Sequence, residues 1–125
     1  MILVGLALCI SARGQVSRGP TNGTDLLHQC AAYDRQITKR GAADAAIEAS
    51  EIGYGLGYCF GVINATAEIL QVHGDIHVPD GEVSFEQLKK IVMNYLNAHP
   101  EEWQNPASVV VTKALRNVWG PETAK

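Results

Sequence analysis

The chain has 125 residues, 46% of them hydrophobic, and a formal net charge of -3. That is one domain with enough apolar material for a core. The acidic balance excludes nucleic acid as the main partner, and the basic pairs Lys39-Arg40 and Lys89-Lys90 read as solvated helix faces or ends.

Ile2 to Ile10 is apolar apart from Gly5, and Ser11-Ala12-Arg13-Gly14-Gln15 follows. A stable membrane span needs about twenty such residues, so this segment is too short for one. Its length suits the apolar region of a secretion signal over residues 1–14. The charged start of such a signal is missing, which places the expected start upstream. A buried N-terminal strand is the other reading. Cys9 follows Leu8, where a lipid-attachment motif wants a small residue. Removal of the signal takes Cys9 with it and leaves Cys30 and Cys59. An even pair in a small exported domain reads as a disulfide; the alternative is two buried thiols in a cytosolic protein.

Residues 15–23 are linker by composition, and the helical domain is expected over 24–121. Thr24 or Asn22 can cap a first helix with Leu26, Leu27, Cys30, Ala31, Tyr33 and Ile37 on its apolar side. Gly41 is a natural stop after Lys39-Arg40.

The next stretch holds Gly53, Gly55, Gly57 and Gly61, and its first question is phosphate loop or helix. A dinucleotide fingerprint fails in both registers, because Tyr58 or Phe60 falls where the third glycine belongs. Apolar residues instead recur at Ala49, Ile52, Leu56, Cys59, Phe60, Ile63, Ala67 and Leu70, a helical period. The spacing predicts a helix from about Asp44 to Val72. Ala49, Gly53, Gly57, Gly61 and Ala65 form one ridge on it. Four glycines inside a helix cost roughly 4 kcal/mol against alanine. The expectation is that neighbouring helices grip this ridge; a glycine kink is the other reading. If the turn at Gly41 is tight, Cys30 and Cys59 differ in height by roughly 10 Å, so a bond needs tilted helices or a later start to the second.

Residues 73–82 are a loop by composition. Ser84 and Gln87 make a capping box, and Phe85, Leu88, Ile91, Val92, Tyr95 and Leu96 follow at helical spacing. Pro100 closes that helix. Asn105-Pro106 reads as a cap with proline at the first helical position. Val110, Val111, Ala114, Leu115, Val118 and Trp119 form the last apolar face, ended by Gly120-Pro121. The fold class is all-α: a single-domain bundle of four main helices with one disulfide.

The sequence has no Ser/His/Asp or G-x-S-x-G signature. A Cys59 nucleophile paired with His73 or His77 would sit on an apolar helix face, where thiols are structural. His73 and His77 have helical ligand spacing, but Gly74 and Asp75 interrupt it and no complete zinc set is near. Asp75, Asp80 and Glu82 lack calcium-loop spacing. No metal and no cofactor is expected. Asn22-Gly-Thr24 and Asn64-Ala-Thr66 fit glycosylation sequons by chance. Trp103 serves either as a contact anchor or as a staple between helices.

Several stretches in order resemble the Rap/Tai immunity proteins, over about Asp25 to Pro121. They are Gly57-Tyr-Cys-Phe-Gly61-Val-Ile, His77-Val-Pro79, Val83 to Leu96 followed by His99-Pro100-Glu, and Pro106 to Leu115. The resemblance implies an exported, periplasmic, often dimeric helical protein. It would block a type VI secreted cell-wall amidase by plugging its cleft, without catalysis. Cys30 and Cys59 match the family's first cysteine pair. A second pair, before the loop proline and at the C-terminus, is absent here: His77-Val precedes Pro79, and Trp119-Gly-Pro121 has no cysteine. The loop residues His73, Asp75, His77, Asp80 and Glu82 are the candidate partner-binding set, since an acidic loop complements a basic or His-bearing cleft. The alternative function is a periplasmic acid-stress chaperone. A Cys-dependent enzyme would need Cys59 as a free thiol.

Overall fold

The structure, a computed structural model, describes residues 22–38, 45–81 and 83–121. The expected signal segment, the turn at Gly41 and Glu82 lie outside the described residues. Four helices follow one another: α1 (Gly23–Thr38), α2 (Ala45–Val72), α3 (Phe85–Ala98) and α4 (Ala107–Trp119), with one 3-10 turn at Pro100–Glu102. Among the described residues the only extended pairing is an isolated bridge between Asn22 and Pro106, and no helix is long and apolar enough to cross a membrane.

Asn22, not Thr24, caps α1. Its Oδ1 accepts from Asp25 N at 2.9 Å while its own N–H donates to the Asp25 carboxylate at 3.3 Å. Leu26 and Cys30 face the core, and Ala31 faces water. Gly23 is needed where α1 starts. A Cβ there would lie 3.0 Å from Leu96 Cδ2 and 3.1 Å from Trp103 Cα. The close approach lets Gly23 N–H donate to Asn105 O and Thr24 N–H to Trp103 O, both at 3.0 Å. Trp103 is the staple rather than an anchor: it is half-buried and donates Nε1–H to Leu96 O at 2.8 Å.

Cys30 and Cys59 are bonded, with Cα atoms 5.2 Å apart. Gly55, one turn before Cys59, lies against Gln29 and Ala32 of α1. The bond and this contact hold α1 and α2 side by side. The expected height mismatch does not keep the sulfurs apart. α1 ends at Thr38 and α2 begins at Ala45, and the residues between them lie outside the described residues. The link between them is long enough to absorb a step of about 10 Å.

α2 is a helix where the glycines stand, but the gripped ridge is not found. A Cβ built on Gly53, Gly57 or Gly61 meets nothing within 4 Å. Spacing by four places residues on one face without saying which face is covered. Gly55, off that ridge, is the glycine that meets α1. Phe60, counted with the apolar face, is 50% exposed. The side chains of Ile37, Ala49 and Ile52 lie outside the described residues.

Ser84 and Gln87 form the capping box, with Gln87 N–H donating to Ser84 Oγ at 3.3 Å and Ser84 N–H to Gln87 Oε1 at 2.9 Å. α4 starts differently from expectation. Pro106 occupies the cap position itself, and Asn105 turns its amide to Glu102. The valine run is helical, with Val110 and Val111 buried against α3 and α2 beside Ala114 and Leu115.

Lys89 is not a solvated lysine. It is 5% exposed, whereas Lys90 beside it faces water. Its ammonium donates to Asp34, pairs with Glu86 at 2.8 Å and lies 4.3 Å from the centre of the Tyr33 ring. Burial works against its charge, but the bonds from Asp34 and Glu86 outweigh it and raise its pKa. The hydrogen bond from Lys89 chiefly holds the Glu86 carboxyl below its ordinary range. Rings close the site: Phe85 meets Tyr33 edge-on at 5.5 Å and Phe60 at 4.9 Å.

Reduction of the bond, or Cys30→Ala/Cys59→Ala, should lower unfolding free energy by about 3–4 kcal/mol for a loop of this length, seen as an earlier denaturant midpoint. At Lys89 the stem and the charge separate. Lys89→Met keeps the buried stem and should cost less than about 1 kcal/mol, because Asp34 and Glu86 are more than half exposed and are not stranded. Lys89→Ala should cost about 2 kcal/mol. A depressed carboxyl stabilises above its ordinary range and loses that share as pH falls through its folded pKa. Denaturation from about pH 6 down to about pH 3 should therefore show a shallower loss for Lys89→Met than for the parent chain.

Candidate partner-binding loop

α2 ends at Val72 because Gly74 supplies a left-handed residue, φ +73°. Gly74 N–H donates to Gln71 O at 3.1 Å and Asp75 N–H to Leu70 O at 2.8 Å, the paired bonds of a Schellman stop. The chain then turns inward for one side chain. Ile76 is 1% exposed, packed in the core between polar neighbours that face water. Next, His77 N–H donates to Trp119 O at 2.8 Å, fastening the loop to the last residue of α4. Gly81, φ +134°, turns the chain toward α3.

These fastenings fix where the candidate residues point. His73, Asp75, His77 and Asp80 are all exposed. Glu82 lies outside the described residues. The His77–Trp119 bond ties together the two places where the resemblance puts a second cysteine pair. A backbone hydrogen bond and a buried isoleucine thus restrain this loop.

Among the described residues no group of three His, Cys, Asp or Glu is placed to hold a metal ion. Cys59, bonded and fully buried, has no thiol to offer a substrate. What the loop can do chemically is present carboxylates and imidazoles on a fixed backbone, which suits recognition.

Sequence reasoning missed two features of this end of the molecule. Ile76 is the sole large apolar residue between Gly74 and His77, which was a readable signal for a plug. Ile69 and Val72, 59% and 81% exposed, fall off the core-facing row of α2 and so went unassigned.

A family model described as Rap1a immunity proteins matches residues 22–120. Neither the curated proteins nor the solved structures contain a match to the chain. The matched span runs from the cap of α1 to the end of α4, taking in both bonded cysteines and the loop. The chain therefore belongs to the Rap1a immunity protein family, whose part is immunity to a secreted effector.

Proposed function

We propose that this chain is exported and blocks a type VI secreted cell-wall amidase in the periplasm, by seating the 73–82 loop in the enzyme's cleft without catalysing anything. The observation that carries this reading is the loop itself. Its backbone is restrained at three points by Gly74, Ile76 and His77, while Asp75 and Asp80 face water. A restrained loop loses little conformational freedom on binding, so more of the contact energy appears as affinity. Asp75 and Asp80, with Glu82 following in sequence, complement a cationic or His-bearing cleft. The bonded cysteine pair suits an oxidising compartment.

The test is inhibition and capture of a cell-wall amidase, sought among the genes that neighbour this one, by the parent and by Asp75→Ala/Asp80→Ala/Glu82→Ala. Asp75 and Asp80 are exposed, so the variant should melt within about 1 kcal/mol of the parent. Its affinity should fall by about tenfold or more. Undiminished inhibition by the triple variant would remove the loop from the interface.

A further inference from the structure

Six large apolar side chains stand exposed among the described residues, and their placement is uneven. Tyr54 stacks on Tyr58, and Phe60 packs on Phe85, so both have partners within the chain. Val109 lies in the first turn of α4. The remaining three, Ile69, Val72 and Val118, fall in the last turns of α2 and α4. Those are the two helix ends that the 73–81 loop joins. His73 N–H donates to Ile69 O at 3.0 Å, and Val72 precedes the loop directly. Val118 precedes Trp119, whose carbonyl holds His77. The loop thus leaves one exposed apolar helix end and is fastened beside another.

The fold gains little from these side chains. The core-facing row of α2 is Cys59, Ile63, Ala67 and Leu70, and positions 69 and 72 are off it. A surface helix normally turns charged residues to water there. Isoleucine and valine form helix less readily than lysine, arginine or glutamine. A helix C-terminus also favours a cation, and α2 has no basic residue in its last turn. Yet Val72, at 81%, is the most exposed of the six.

The partner of an immunity protein is a secreted effector. Charged side chains suit the encounter and the rim of an interface, whereas its centre is depleted of charge and needs apolar area. Asp75 and Asp80 supply the first, and the helix end from which their loop springs supplies the second. Branching at Cβ leaves isoleucine and valine few rotamers to lose when they are covered. We infer that Ile69 and Val72 hold the effector after the loop has entered its cleft, an assignment that rests on the loop reading above. The surface they fit is an apolar lip beside a cationic or His-bearing cleft. The carboxylates of the loop set how fast the complex forms, and the apolar pair sets how long it lasts.

Kinetics separate the two contributions. Binding of the full chain to the same cell-wall amidase is followed by surface plasmon resonance at about 50 and about 500 mM salt. Ile69→Ala/Val72→Ala should release the amidase about tenfold faster or more, with an association rate within about twofold of the parent. Its loss should be the same at both salt concentrations. Alanine favours helix over either residue and both side chains are exposed, so this variant should keep the parent's helical spectrum and denaturant midpoint. Asp75→Ala/Asp80→Ala/Glu82→Ala should instead slow association, and most at low salt. Release of Ile69→Ala/Val72→Ala at the parent's rate overturns the assignment and leaves the loop reading standing. Fast release by that variant, with parental binding by the triple alanine variant, upholds Ile69 and Val72 and removes the carboxylates from the interface. A parent chain that captures no amidase overturns both. A double variant that changes only the sedimentation of the chain alone gives these side chains to a second copy, and overturns the assignment.

Discussion

The rest of the fold depends on the bond that holds α1 to α2. α1 has 16 residues, a length at which an isolated helix is marginal in water. Cys30 and Cys59 fix it against the longest helix in the molecule, and Gly55 lets the two backbones come close one turn away. α3 and α4 pack on the same side of α2, through Leu88, Val92 and Leu96 and through Val110, Val111 and Leu115. The start of α1 is then locked from the other direction by Trp103 and Asn105. α2 is thus held by a covalent link, and the loop that continues from it inherits a fixed base.

Much of this was legible because local chemistry leaves few choices. Ser84 and Gln87 can satisfy each other only at a helix start, and the following apolar spacing says which face is buried. Val109 to Val111 resembles a strand in isolation, but Ala114 and Leu115 extend a helical row that tertiary contact then rewards. The cysteine pairing was legible for a simpler reason: once Cys9 is set aside, there is one possible pair. The height arithmetic set a condition on that pair, and the two sulfurs are bonded all the same.

Elsewhere the pattern named a face without naming its neighbour. The glycine ridge of α2 was placed correctly on a helix and wrongly against another one. Four-residue spacing reports common direction, while burial is decided by elements far away in sequence. Lys89 shows the same limit. Beside Lys90 it reads as half of a solvated pair, yet Asp34, distant in sequence, gives its ammonium a partner and the Tyr33 ring lies against that same ammonium. In the loop, the exposure of Asp75, His77 and Asp80 followed from composition. The tether to Trp119 did not, because a backbone bond leaves no mark on side-chain identity.

That tether has a consequence for maturation. A loop held by an N–H donor and a buried isoleucine needs no cysteines of its own, so residues 22–121 contain two and not four. Four cysteines permit three connectivities and two permit one. Oxidation of this chain therefore has no wrong outcome within that span: an oxidase suffices, no isomerase has to reshuffle a mispaired intermediate, and the loop sets as soon as α4 docks.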